Sequence, residues 1–298
     1  MKPVHVCALC GGASDDGHAS ARLTRVTAVS EIAFDALCHS GRFGELWRAR
    51  LAGRPVAARK YVAAGGAMPF RDPIAVLERA AADAQRVTHP ALATTVAAGR
   101  ALPGWILAEA WIDGSPLAED SAAPLTRVVR IGADIGDALA AAHDAGLFHG
   151  GVRRRRVIVR PDGHAALVAL GWAPLETSEA DARWSAETPT SAREIDAYRA
   201  PEQYDASPAS AATDVFALGC ILYELAAGRH PFAQRDGYRT REAVRAASYR
   251  SLRLATPEAP AWLDELCAAA VERDPGRRVS AGVLAGALSE RARDDSST

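Results

Sequence analysis

Leu125, Val128, Ile131, Ile135, Leu139 and Ala142 recur every three or four residues through an otherwise mixed stretch. That spacing leaves little choice but an α-helix with one apolar face, and such a face must be buried against something. Gly146 is a suitable place for the helix to end. Two apolar runs of strand length follow, Val157–Val159 and Ala166–Leu170, with Pro161-Asp162-Gly163 between them. Those three residues are turn chemistry, so the pair predicts a β-hairpin. Between helix and hairpin runs His149-Gly150-Gly151-Val152, then four arginines, Arg153 to Arg156. No acid occurs from His149 to Arg160.

The order of helix, histidine loop and hairpin resembles the catalytic half of a protein kinase, where His-Arg-Asp precedes a Lys, an Asn and then Asp-Phe-Gly. On that frame His149 takes the His, Gly150 the Arg, Gly151 the Asp, Arg153 the Lys and Arg156 the Asn. Ala169-Leu170-Gly171 takes Asp-Phe-Gly, eighteen residues after Gly151, the family's usual interval. Further on come Ala200-Pro201-Glu202, Asp214 opening a long apolar helix, and Pro231-Phe232 after Gly228. Asp274-Pro275 with Arg278 completes the series. Four motifs in this order resemble a bacterial-type Ser/Thr protein kinase domain, which implies an α+β, two-lobed fold. Its small lobe is β-rich with one helix, and its larger lobe is mainly α-helical. The resemblance also implies a partly buried ion pair between Glu202 and Arg278.

The amino-terminal part is similar to the family's small lobe. Gly41 and Gly44 fall at the second and third glycines of the glycine-rich hairpin, with His39 at the first, and Leu46 at the residue that covers the adenine. The family lysine falls on Arg59 or Lys60. Residues two apart share a strand face, and choosing Lys60 would drive Arg59 into the core beside Val56 and Ala58, a costly burial for a guanidinium. Arg59 is therefore assigned, with Lys60 pointing away. The chain has only two lysines among its 35 basic residues, so Arg standing for Lys is partly a habit of composition. The partner glutamate position falls on Ala80. Glu78 and Asp83 lie roughly 200° and 300° around the helix from it and do not substitute. The hinge reads Ala108 as gatekeeper, Glu109 next, and Trp111 at the pocket mouth. Ala57, Ala108, Glu109, Trp111 and Ile158 outline an adenine slot.

Phosphoryl transfer in the family uses metal ions, a carboxylate and a Lys–Glu pair. Gly151, Arg156 and Ala169 replace the carboxylate and both metal ligands, and Arg59 with Ala80 replaces the pair. The expectation is a pseudokinase, no enzyme, serving as a binding or allosteric module. The alternative is a residual or atypical ATP-dependent Ser/Thr kinase or other transferase. No cofactor is required on this reading, and metal-independent binding of ATP or another nucleotide stays open. The arginine run has two readings, solvated loop charge or a site for an anion.

Residues 31–290 are expected to form the kinase-like domain, with a small lobe at about 31–108 and a large lobe at about 109–290. Residues 1–30 form a leader and 291–298 a polar tail. Cys7 and Cys10 look like half a zinc knuckle, but structural zinc takes four ligands and no second such pair appears, so zinc is not expected. A net charge of −1 argues against a nucleic-acid partner. The absence of a long uncharged apolar run argues against a membrane span. Five cysteines without a disulfide pattern fit thiols in the cytoplasm. The expected partner is a protein, an active kinase or a phosphoprotein, and a homodimer stays open.

Overall fold

The computed structural model describes residues 29–41, 44–62, 73–101, 104–117, 122–170, 197–205 and 207–295. Cys7, Cys10 and Gly171 lie outside them. The described chain divides into two compact units. The first runs to Arg86 and takes in Thr94–Trp111; the second holds Val87–Ala93 and everything from Ile112 onward. The division thus follows Trp111, where the sequence suggested Ala108, because Glu109 and Ala110 finish a strand of the first unit's sheet.

That sheet has the order β1-β2-β3-β5-β4 and is antiparallel throughout. Its strands are β1 (Ala33–Gly41), β2 (Gly44–Leu51), β3 (Arg54–Val62), β4 (Thr95–Ala101) and β5 (Gly104–Ala110). Helix α1 (Pro73–Ala84) precedes β4. Val56 and Ala58 alternate onto the buried face with Ala49, Ala97, Ile106 and Ala108, as the strand period requires. This agrees with the expected core face of β3. Ala52 and Gly53 join β2 to β3 with φ of 50° and 76°. A two-residue hairpin loop with both φ positive matches the right-handed twist of its strands.

In the second unit, α2 (Leu125–Asp144) carries the predicted stripe: Val128, Ile131, Ile135, Leu139 and Ala142 are all buried. The buried face is wider than the stripe because Gly132 and Gly136 let neighbours come close. A Cβ at Gly132 would stand 2.5 Å from Leu222, and one at Gly136 2.9 Å from Ala285. Gly146 follows the helix at φ 74°, the left-handed stop expected of it.

The hairpin forms from β7 (Val157–Val159) and β8 (Ala165–Leu167), with the short β6 (Ser115–Pro116) pairing on β7. Its second strand is shorter and earlier than Ala166–Leu170. The ladder ends with the Val168 N–H on the Arg156 carbonyl, because Ala169 then takes a φ of 69°, which no strand tolerates. Helix α3 (Ala211–Ala227) is buried on almost every side, opened by a capping box of Ser210 and Thr213 and closed by Gly228 at φ 67°. Among the described residues four further helices follow: α4 (Gly237–Arg245), α5 (Leu252–Ala255), α6 (Ala261–Ala270) and α7 (Ala281–Asp295).

Candidate functional site

Asp214, in the first turn of α3, is 1% exposed and organises the histidine loop. Its carboxylate accepts the backbone N–H of His149 at 2.8 Å and of Gly150 at 2.7 Å, and His143 Nε2 lies 3.0 Å away. A buried carboxylate needs such donors. His149 is itself buried, with Nε2 3.0 Å from the Val168 carbonyl and Nδ1 accepting from Gly151 N–H at 3.3 Å. The ring therefore carries its proton on Nε2. Burial, reinforced by the Arg156 guanidinium, pushes its pKa down to about 4. It is neutral at physiological pH and serves the loop as a fixed donor and acceptor.

The four arginines are neither uniformly solvated nor uniformly open to an anion. Arg154 is buried and pairs with Glu224 of α3 at 2.8 Å, and that carboxylate also accepts the Tyr198 hydroxyl. Burial first, and then the neighbouring Glu224, hold the Tyr198 phenol far above its ordinary pKa, so it is a donor there. Arg156 is 2% exposed and curls back to donate to the Gly151 carbonyl at 3.0 Å. Arg155 is exposed and Arg153 half-buried. The solvated reading of the run is thus corrected for Arg154 and Arg156, which are buried because α3 and the loop's own backbone offer them acceptors.

Arg156 and Ala169 stand where the family's metal ligands fall. A divalent magnesium site wants oxygen ligands, and a guanidinium and a methyl group do not fit it. Ala169 is fully buried, and its left-handed backbone persists without any acid on it. Ile158 is half-buried on β7, opposite Ala166. The expected Glu202–Arg278 pair is present, bidentate at 2.6 and 2.8 Å.

In the first unit, the strand register sorts the proposed pocket residues. Leu46 faces Arg59, and Ala57 faces Glu109, so these four share one side of the sheet. Ala108 faces Ala58 and belongs to the core on the other side. It is not grouped with Ala57, a departure from the slot outlined from the sequence. Gly41 pairs with Gly44 at the end of the β1–β2 hairpin. Gly44 has a φ of 106°, and a Cβ there would lie 2.1 Å from the Lys60 carbonyl, so its glycine is required by contact with β3. Trp111 is half-buried with the Arg48 guanidinium 5.2 Å from its ring centre.

Ala80 offers Arg59 no charge, and the nearby acids are engaged elsewhere: Glu78 with Arg100 at 3.9 Å, Asp83 with Arg86 at 3.3 Å. Among the described residues Glu109 approaches Arg59, with Oε2 3.8 Å from Nε and only 1% of the side chain exposed. It was missed as a partner. Part of the signal was there: an acid inside the apolar run Gly104–Ala110 must meet a cation or a donor, and the register of β3 against β5 puts it on the arginine's face.

The sequence matches the protein kinase domain over residues 105–287. The chain belongs to the protein kinase family. It is 29% identical over 193 residues to serine/threonine-protein kinase PknL of Mycobacterium tuberculosis, covering 62% of this chain and 44% of that protein. It is 37% identical over 106 residues to PknE of the same species, covering 36% and 18%. It is 37% identical over 97 residues to the probable serine/threonine-protein kinase PknB of Corynebacterium glutamicum, covering 32% and 14%. The matched region thus spans less than half of each of these relatives. The bacterial-type kinase fold expected from the sequence stands. The expectation that the chain is no enzyme is overturned, since the family and the relatives named as Ser/Thr protein kinases point to an enzyme. Among the described residues no helix is long and apolar enough to cross a membrane, and no cluster of three metal-ligating side chains occurs.

Proposed function

We propose that the protein is an atypical ATP-dependent phosphotransferase of the Ser/Thr kinase type, in which a guanidinium takes over charge neutralisation from carboxylate-held metal. The observation that carries this reading is the approach of Arg59 to the buried Glu109, on the sheet face that also bears Leu46 and Ala57. An anchored guanidinium is a planar, permanently charged fork suited to phosphate oxygens. Phosphoryl transfer asks mostly for positioning and for stabilisation of charge on the transferred group. The γ-phosphoryl passes from ATP to a Ser or Thr hydroxyl, leaving ADP. With Gly151 at the carboxylate position the hydroxyl proton leaves to water.

Turnover is expected to be slow, because each missing electrostatic stabiliser lowers the rate by about 10²–10³. A cytoplasmic setting and a protein partner, a kinase or phosphoprotein, complete the proposal. Cys38, Cys220 and Cys267 are free thiols, which a reducing compartment preserves.

The test is transfer of labelled γ-phosphate to a mixed Ser/Thr peptide pool in EDTA, in Mg²⁺ and in Mn²⁺. Incorporation that persists in EDTA and falls at least about tenfold in Arg59→Ala supports the reading, a tenfold change being about 1.4 kcal/mol of barrier. No incorporation under any condition, or complete dependence on metal, overturns it.

A further inference from the structure

The β7–β8 hairpin and the first turns of α2 frame a cavity of about 310 Å³, wholly within the second unit, lined by Thr126, Arg127, Arg130, Val159 and Gly163. A single water needs only about 10–15 Å³, so this volume suits a small organic group. Neither arginine belongs to a kinase motif.

Arg127 and Arg130 stand three residues apart on α2, which puts their Cβ atoms roughly 5–6 Å from each other on one side of the helix. Both are exposed. Among the described residues the lining holds two cations and no acid. The acids close by in sequence are turned to the hairpin backbone. Asp134, one turn beyond Arg130, accepts the Ala165 N–H at 2.7 Å and lies 3.1 Å from His164 Nδ1. Asp162, in the turn, accepts the His164 N–H at 2.9 Å. The hairpin also makes room for Arg130: Gly163 has a φ of 83°, and a Cβ there would lie 2.9 Å from Arg130 Nη1. The turn is thus a wall for that guanidinium, while Val159 adds an apolar side and Thr126 a hydroxyl. Two planar forks and a hydroxyl can donate to several oxygens of one group at once. A phosphate monoester offers three such oxygens and a charge of about −1.5 to −2, where a carboxylate offers two and a single charge.

We propose that this cavity docks the phosphoryl group of a phosphorylated side chain on a partner protein. A side chain fits better than free phosphate because the volume leaves room for its stem beside Val159. The inference supplies the proposed phosphoprotein partner with a place to bind, and it stands whether or not the chain transfers phosphate.

The test uses the full chain and fluorescein-labelled nonapeptide pools of mixed sequence, with Ser, Glu or phosphoserine at the centre, read by anisotropy. The phosphoserine pool is expected to bind about tenfold tighter than the Ser pool, the scale of a charge-assisted contact. That preference should shrink as salt rises. It should vanish in the double variant Arg127→Gln, Arg130→Gln, with melting temperature unchanged because both side chains are exposed. It should persist in Arg59→Ala, which separates this site from the phosphate-binding role proposed for Arg59.

No preference for phosphoserine, a preference intact in the double variant, or one lost in Arg59→Ala overturns the proposal. A Glu pool that binds as tightly as the phosphoserine pool would overturn the assignment to phosphate. Displacement of the phosphoserine pool by an equal concentration of inorganic phosphate would make the occupant a free anion and overturn docking of a protein segment. Phosphoserine-selective binding without phosphate transfer would sink the transferase reading alone.

Discussion

Arg278 grips Glu202 through two bonds, donates to the carbonyls of Ala212, Glu272 and Arg273, and lies over the Phe216 ring at 5.0 Å. Its side chain is fully buried. Arg59 stands 3.8 Å from Glu109, beyond hydrogen-bond reach, and keeps 19% of its side chain exposed. Both are arginine–glutamate pairs beside packed elements, yet their geometries answer different demands. A pair that holds elements together satisfies every donor, since a buried charge tolerates no vacancy. The Arg59–Glu109 approach is longer and its guanidinium part-exposed, which suits the phosphate-binding role proposed for it.

The largest effect expected from this contrast is on stability. Arg278→Ala leaves Glu202 and three carbonyls without their donor and should lower stability by about 3–5 kcal/mol. Arg59→Ala should cost less than that, because Arg59 is part-exposed and lies 3.8 Å from Glu109, but more than an exposed pair would, because it takes a cation from a buried carboxylate. Denaturant melts of the two variants measure the difference directly. Equal losses would erase the distinction between a holding pair and a receiving one.

How far the sequence revealed this depends on the range of each contact. The Glu202–Arg278 pair was legible because two motifs at family spacing name both ends. The stripe from Val128 to Ala142 and the Gly146 stop were legible because they follow from local periodicity and backbone freedom. The burial of Arg154 and Arg156 was not. A run of four arginines reads as surface, and nothing near it in sequence announces that Glu224, some seventy residues on, will face Arg154. The inward turn of Arg156 depends on a backbone acceptor, the Gly151 carbonyl, which every sequence possesses and none advertises. The shortened second hairpin strand has the same origin, for it stops where the tertiary demand of Val168 and Ala169 overrides an apolar run. Glu109 was named as a hinge residue, but pairing it with Arg59 required the register of β3 against β5.

A smaller effect concerns pH and sharpens the contrast between charge that holds the fold and charge that is kept out of it. His149 has its pKa lowered from 6.5 to about 4 in the fold. Between those values the unfolded chain binds the extra proton and the folded chain does not, so stability is full above pH 6.5 and declines as the pH falls toward 4. At pH 5 the loss from this group is on the order of 2 kcal/mol. His230, lowered to about 3 by burial and then by Arg154, adds to it with the same sign. Melting temperature should therefore fall from pH 7 to pH 5, and less steeply in His149→Asn, whose amide retains a donor and an acceptor but does not titrate. An identical slope in the variant would show that the loop histidine takes its proton without cost.

The smallest effect separates two alanines that share a left-handed backbone. Ala52 has φ 50° in the exposed β2–β3 turn, and Ala169 has φ 69° with no exposed surface. A non-glycine residue there is strained by roughly 1–2 kcal/mol, which glycine relieves at the cost of a more flexible unfolded chain. At Ala52 no buried contact is lost, so Ala52→Gly should raise stability by a few tenths to about 1 kcal/mol, within the range for compatible backbone changes. At Ala169 the lost methyl is buried and worth about 0.8 kcal/mol, which offsets the relief and leaves Ala169→Gly near neutral. Paired thermal melts decide between these outcomes. A clear gain at Ala169 equal to that at Ala52 would mean that its methyl packs poorly and that the backbone at the family's metal-ligand position is held by the turn alone. Near neutrality would mean that the buried methyl helps to hold that backbone in the shape an acid would need.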